Sequence, residues 1–356
     1  MFGKTRKVKV GDIFIGGDAP VTVQSMANTD TLDFEKTLDQ TRKLRDAGCD
    51  IIRYAVPTEE AAPVFTYLKS NGITLPLVAD IHFDYKIALA AVRAGADKIR
   101  INPGNIGEKW KVEEVAAACK NAGLPVRIGV NGGSLDKKLL EKYGSPTPEA
   151  LAESAFAEAE ALESVGFSDI VISIKSSRVN DMIEACRIVS ANCDYPLHLG
   201  VTEAGGEYSG VVKNAIGIGS LLNAGIGDTI RVSLTADPVR EVIAGKEILR
   251  SLGLYHKASL HVVSCPTCGR TKVDLIPLVD RFTEVSANID TKGKDITVAI
   301  MGCVVNGPGE AREADVGVAG GRGEALLFKK GEPICKIPED EIVPRLLAEV
   351  ERIIAE

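Results

Sequence analysis

Aromatic side chains are scarce in this sequence: 356 residues include nine Phe, seven Tyr and one Trp. Basic residues are also in the minority, with 42 Lys and Arg against 49 Asp and Glu and a formal net charge of −7. Broad nucleic-acid binding relies on a basic surface, so this balance argues against it. No apolar run approaches the ~20 residues that a membrane span needs. The opening residues Met1–Val10 carry several Lys and Arg but no apolar stretch of the kind a secretory signal has, so a cytoplasmic location is expected. Eight cysteines do not make a disulfide scaffold in a chain of this size. Cys49, Cys119, Cys186 and Cys193 fall singly within or near expected helices, where a free thiol packs as a small hydrophobe.

What the chain does contain is a repeating unit: a short β-branched run, a polar turn, then an amphipathic helix. Strands are expected at Val21–Met26, Ile51–Val56, Leu75–Ile81, Lys98–Asn102, Val126–Asn131, Ile170–Lys175, Leu197–Thr202 and Thr229–Leu234. Segments of period 3.6 separate them, among them Asp33–Ala47, Pro148–Val165 and Asn180–Ala191. Gly48, Gly95, Gly123, Gly166 and Gly225 stand where left-handed helix caps are needed. Eight strand–helix cycles fit an α/β fold of the (β/α)8 TIM-barrel type, over residues 1–250. Arg6–Gly16 reads as a hairpin about Gly11-Asp12 that could plug the barrel floor. After a linker at 251–258, residues 259–356 read as a small α+β domain. Its elements are a strand at Ser259–Ser264, a helix near Val273–Ala287, strands at Ile296–Met301, Val316–Ala319 and Leu326–Lys329, and a final helix from about Pro338.

Active sites of such barrels lie at the C-terminal ends of the strands. Read in turn, those ends offer Gln24 and Ser25, then Arg53, then Asp80 and His82, then Arg100 and Asn102. The later strands add Arg127 and Asn131, Lys175, His198 and Glu203, and finally Arg231 and Ser233. Five cations aimed at one rim of an acidic protein are hard to explain by packing, because a buried cation needs a partner. Internal salt bridges with Asp80 and Glu203 would be one explanation. A multiply charged anion such as a diphosphate explains more, with arginine forks and Gly-rich turns as donors. Lys175 also stands where a Schiff-base aldolase could place its nucleophile, with a zinc-binding tail behind it. Asp80 and His82 are spaced to share one strand face and could transfer protons, or Asp80 could simply pair with an arginine.

The C-terminal part holds a split cysteine set, Cys265-Pro266-Thr267-Cys268 and then Gly302-Cys303 followed by Asn306-Gly307-Pro308-Gly309-Glu310. Thiolates in Gly/Pro-rich loops are the vocabulary of a metal or iron–sulfur site. Three thiols are one short of a structural zinc or an ordinary cubane. A cluster with three Cys and a weaker fourth ligand leaves one iron open to chemistry. No second Cys-x-x-Cys follows to make a zinc ribbon, and the surroundings are not those of a thioredoxin. Iron–sulfur is therefore the favoured reading, with zinc the alternative. Cys335, in a hairpin over Lys329–Ile337, competes for the fourth position but reads as packing.

Six motifs together resemble one family: Val23-Gln24-Ser25-Met26, Ala79-Asp80-Ile81-His82, Arg100-Ile101-Asn102-Pro103-Gly104-Asn105, Arg127–Asn131, Ser264–Arg270 and Met301–Glu310. They resemble the hydroxymethylbutenyl diphosphate synthase family, IspG/GcpE, in its short bacterial two-domain form. The resemblance implies a two-electron reductive ring opening of 2-C-methyl-D-erythritol 2,4-cyclodiphosphate, with loss of water, in non-mevalonate isoprenoid synthesis. It implies a [4Fe–4S] cluster held by Cys265, Cys268, Cys303 and Glu310, the carboxylate being the labile ligand. It assigns the substrate to Arg53, Arg100, Asn102, Arg127, Asn131, Lys175, Arg231 and Ser233. Glu203, Asp80 and His82 fall near the reacting carbons, and a flavodoxin or ferredoxin would supply electrons.

The eighth helix runs back to the barrel floor, so the second domain starts at the end opposite the rim. A linker of ~7 residues spans at most ~25 Å, which is awkward for reaching the same chain's rim. A head-to-tail homodimer is expected instead, and this agrees with the family.

Overall fold

Two residues, Gly11 and Asp12, reverse the chain at its start. In the computed structural model, which describes residues 4–287, 289–304 and 312–356, β1 (Val8–Val10) and β2 (Ile13–Ile15) pair antiparallel with Val10 opposite Ile13. Gly11 has φ +57°, as the tight turn of a two-residue hairpin requires. Val8, Val10 and Ile15 then pack against Ile51, Val78 and Val171, which project inward from three barrel strands. The hairpin thus closes the barrel floor, as the sequence suggested.

The barrel strands are β3 (Thr22–Met26), β4 (Ile51–Ala55), β5 (Leu77–Asp80), β6 (Lys98–Ile101), β7 (Val126–Asn131), β8 (Ile170–Lys175), β9 (His198–Leu199) and β10 (Thr229–Ile230). All neighbours run parallel in the order β8-β7-β6-β5-β4-β3-β10-β9, and a bridge between Ile172 and Leu197 joins the two ends. The fold is a (β/α)8 barrel. The helices between strands are α1 (Phe34–Asp46), α2 (Val64–Ser70), α3 (Tyr85–Arg93), α4 (Pro103–Ile106) and α5 (Lys109–Ala122). They continue with α6 (Lys137–Tyr143), α7 (Pro148–Glu163), α8 (Val179–Asn192), α9 (Glu207–Asn223) and α10 (Pro238–Ser251). Local chemistry sets their ends. Asp33 accepts from the Lys36 N–H at 3.1 Å to start α1, and Thr147 from the Ala150 N–H at 3.3 Å, with Pro148 in the first turn of α7. Gly123 closes α5 at φ +65°, donating to the Cys119 and Lys120 carbonyls. Outward residues such as Ile52, Tyr54, Ile99, Ile128 and Ile172 form the core between strands and helices. Cys49, Cys119 and Cys186 are buried there, and Cys193 packs against it.

One expectation needs correction: β9 and β10 are two residues long where six were expected, and side chains replace their missing ladder. The Asp228 carboxylate accepts from the Leu197 N–H at 2.8 Å and the Asn214 amide oxygen from the Val201 N–H at 3.1 Å. α10 runs through Ser251, and the chain divides into compact units at Met1–Tyr255 and His256–Glu356, a division that falls within 251–258.

The second unit contains β11 (Leu260–Ser264), α11 (Leu275–Ser286), β12 (Ile296–Met301), β13 (Val316–Gly320), β14 (Glu324–Lys329), β15 (Glu332–Pro338) and α12 (Ile342–Ala355). Its sheet follows chain order, parallel through β13 and antiparallel thereafter. Phe282 of α11 and Ile342, Leu346 and Val350 of α12 cover Ile296, Val298 and Val316. Cys335 lies on β15 beside this core and away from the other thiols in sequence. Among the described residues no helix is long and apolar enough to cross a membrane.

Candidate active site

The two-residue period of a strand decides what enters the barrel. Lys98 and Arg100 share the inner face of β6, Asp80 stands opposite Arg100, and Arg100 stands opposite Arg127. Asn131 stands opposite Lys175 at the ends of β7 and β8. The sheet therefore brings Arg53, Asp80, Arg100, Arg127 and Lys175 to one volume, and every one of them is buried.

Asp80 is the hub. Its Oδ1 lies 3.0 Å from Arg100 Nη1 and its Oδ2 3.4 Å from Arg53 Nε. Burial alone would raise this carboxyl, but the charges of Arg53, Arg100 and Arg127 outweigh it and hold the group well below the usual range. Arg100 also donates to the Gly129 carbonyl at 3.3 Å. Gly129 is required here, because a Cβ would fall 2.6 Å from Arg100 Nε. His82 sits exposed at the rim with Nδ1 3.5 Å from Arg100 Nη1.

The cations outnumber their partners. Burial, reinforced by mutual repulsion, pushes Lys98, Arg127, Lys175 and His198 well below their ordinary values. Burial also brings Arg53 down to about 10, with Asp80 opposing. Lys98 Nζ, Arg100 Nε, Arg127 Nε and Nη2, Arg231 Nε and both His198 nitrogens are buried without a hydrogen-bond partner among the described residues. Leaving polar and charged donors unpartnered in a protein interior is costly. Lys98 and His198 open their strands and lie deeper, but the arginine donors nearer the C-terminal mouth are suited to a multiply charged anion, whose oxygens would satisfy several of them.

Other expected residues are less tightly engaged. Asn102 is buried and its Oδ1 accepts from the Asn105 N–H at 3.2 Å, so it shapes the turn after β6. Glu203 is exposed on the loop after β9, at φ +52°, a left-handed conformation uncommon for a residue with a side chain. Ser233 follows β10, with its carbonyl accepting from Asn214 Nδ2 at 3.3 Å. Gln24 and Ser25 are buried within β3, and both amide atoms of Gln24 lack a partner among the described residues.

In the second unit, Cys265 follows β11 and Cys303 follows the adjacent parallel strand β12, so both leave the same sheet edge. The Gly302 N–H donates to Cys265 Sγ at 3.2 Å, and the Lys272 N–H to the Gly302 carbonyl at 2.9 Å. A Cβ on Gly302 would lie 2.8 Å from Thr271, which is why these loops can approach. Cys268 is exposed, and hydrogen bonds from the Arg270 backbone and side chain lower its thiol toward the thiolate form that binds metals. Glu310 lies outside the described residues. Among those described, no three His, Cys, Asp or Glu side chains close on a single ion position.

Family profiles match both halves of the chain: the GcpE TIM-barrel domain at residues 5–246 and the GcpE protein C-terminal domain at residues 261–352. The chain belongs to the GcpE family.

Curated GcpE relatives carry the name 4-hydroxy-3-methylbut-2-en-1-yl diphosphate synthase (flavodoxin). The protein from Clostridium perfringens is 57% identical over 350 residues, covering 98% of this chain and 99% of its own. That from Geobacter sulfurreducens is 54% identical over 100% of this chain and 99% of its own. Among solved structures, a type I 3-dehydroquinate dehydratase from Clostridium difficile is 16% identical, covers 70% of this chain and 98% of its own, and has a TM-score of 0.51. A dihydropteroate synthase from Thermus thermophilus is 17% identical with the same TM-score, covering 70% of this chain and 99% of its own. These two likenesses show the barrel fold alone.

Family membership settles what geometry leaves open at Lys175. A lysine held below its ordinary value suits a Schiff-base aldolase as well as an anion site, but the GcpE relatives are diphosphate synthases and the aldolase reading is not supported. Sequence reading missed Glu241 on α10, whose Oε1 lies 3.2 Å from Arg231 Nη2. It also missed Glu158 on α7, which burial pushes up to about 8 against the pull of Arg100. Both sit on outer helices, where a carboxylate reads as a solvated surface group.

Proposed function

We propose that this GcpE-family enzyme converts 2-C-methyl-D-erythritol 2,4-cyclodiphosphate to 4-hydroxy-3-methylbut-2-enyl diphosphate. The conversion consumes two electrons and two protons and releases one water. A ring carbon–oxygen bond to the diphosphate breaks, the neighbouring hydroxyl leaves, and a carbon–carbon double bond forms. The observation that carries this reading is the crowd of buried, under-partnered cations at the barrel rim, in a chain matched along its whole length to diphosphate synthases.

Arg53, Arg100, Arg127, Lys175 and Arg231 hold the diphosphate, and Asn102, Asn131 and Ser233 bind its polar edges. Asp80, kept ionised by its arginines, orients Arg53 and Arg100 and is a poor proton donor at neutral pH. His82 and Glu203, both exposed at the rim, are placed to move protons. Cys265, Cys268 and Cys303 fit a [4Fe–4S] cluster, because each thiolate of a cubane binds a different iron and the set need not converge on one ion. Glu310 would be the fourth ligand. Held by these residues, a cluster would supply single electrons, drawn from a flavodoxin or a ferredoxin. Anaerobically purified protein should hold about four irons and four sulfides per chain, with an EPR signal altered by the cyclic diphosphate, and should form the product when reduced. Stoichiometric zinc, or a cluster indifferent to that compound, would overturn the reading.

The working unit is a head-to-tail homodimer. Lys246 on α10 donates to the Ala47 carbonyl at 2.8 Å, in the turn before β4, so α10 ends at the hairpin side of the barrel. The exposed stripe Tyr208, Val212 and Ile216 on α9 supports contact with a second copy. Sedimentation should show a dimer at assay concentration; a fully active monomer would rule this out.

A further inference from the structure

Arg231 stands apart from the other rim cations in how it is held. It follows a strand of two residues, so the segment from Arg231 to Leu234 has almost no ladder to fix it. The Arg231 N–H donates to the Leu199 carbonyl at 2.9 Å, and beyond that point side chains take over, Asn214 Nδ2 at the Ser233 carbonyl (3.3 Å) and the Glu241 carboxylate. Glu241 Oε1 accepts from the Leu234 N–H at 3.0 Å and from Arg231 Nη2 at 3.2 Å. Its Oε2 accepts from Arg231 Nη2 at 3.3 Å and from the Ser25 hydroxyl at 3.2 Å. The side chain is 3% exposed, so both oxygens are committed to these three groups.

A carboxylate beside an anion site is electrostatically unfavourable for the anion. Its presence makes sense if it fixes geometry. We propose that Glu241 is a positioning residue: it locks the Arg231 guanidinium and the 231–234 segment, leaving Arg231 Nε, which has no partner among the described residues, free for a diphosphate oxygen. This rests on the diphosphate reading of the rim. By tying β3, the segment after β10 and α10 together, Glu241 does through one side chain what a longer eighth strand would do through its backbone.

The sign of the effect tests it. Removing a negative charge from an anion site should tighten binding if charge alone matters; loss of positioning should weaken it. Calorimetry with the cyclic diphosphate on cluster-free full-length protein separates the two without relying on turnover. Glu241→Ala should bind about tenfold more weakly, as loss of one oriented charge-assisted contact implies. Glu241→Gln, which keeps the shape and one acceptor, should weaken binding only a few-fold. In an Arg231→Met background, Glu241→Ala should cost nothing further, a result that a general folding defect would not give. If Glu241→Ala does not fold, Glu241→Gln in the two backgrounds carries the test, with a few-fold weakening expected only when Arg231 is present. Unchanged or tighter binding by the variants, with normal wild-type binding, overturns this inference alone. Absence of wild-type binding overturns it together with the diphosphate reading.

Discussion

An Arg100→Met protein should bind the cyclic diphosphate at least about a hundredfold more weakly, the loss of a buried charge-assisted donor being worth several kcal/mol. Calorimetry on cluster-free protein would measure it. The substitution also strips Asp80 of its closest partner, at 3.0 Å. Breaking a buried pair from one side typically costs about 3–5 kcal/mol, so the melting temperature should fall as well. Asp80 is held below the ordinary carboxylate range when folded. The stability it lends is complete above its unfolded pKa and is lost as the pH falls through the lower folded value. Without Arg100 the folded value moves up toward the unfolded one, so that stabilisation shrinks and the variant should give way at higher pH on acidification. Gly129→Ala should act in the same direction and more mildly, by pushing the Arg100 guanidinium off its site. Affinity within threefold of wild type in Arg100→Met would remove Arg100 from the binding set.

Replacing Cys303 by serine should abolish both the iron content and turnover. Cys303 is buried and leaves the same sheet edge as Cys265, which already receives a backbone N–H from Gly302. Its loop is held against the Cys265–Lys272 segment by the bond from the Lys272 N–H to the Gly302 carbonyl. A hard hydroxyl there is a poor substitute for a thiolate toward iron. Glu310→Ala should instead keep much of the iron and lose turnover, and Cys335→Ser, on β15 beside the sheet core, should be mild. Iron analysis alongside product formation separates these patterns. If Cys335→Ser proved the damaging change and Glu310→Ala the mild one, the fourth ligand would be reassigned.

Much of this was legible from the chain because strand and helix write different periods. β-branched runs marked all eight barrel strands, and their C-terminal ends named Arg53, Asp80, Arg100, Arg127 and Lys175, which the fold gathers in one buried cluster. The ends of the last two strands were not legible. Asp228, Asn214 and Glu241 satisfy backbone groups there that a longer ladder would have served, and apolar alternation does not report which partner an N–H finds. Gly200 adds to this, since a Cβ on it would lie 2.5 Å from the Arg231 carbonyl. Glu241 was hidden by its setting. After Asp237 and Pro238 it reads as an ordinary first-turn acid, stabilised by the helix dipole, and only the folded barrel turns it inward.

The hairpin at the start of the chain gives the barrel the form of a cup. Val8, Val10 and Ile15 fill its base, so nothing passes through from below. A charged ligand has one way in and the same way out. Product must therefore vacate the mouth before fresh substrate can enter. Traffic through a single door makes release, as much as bond breaking, a step that can limit each cycle.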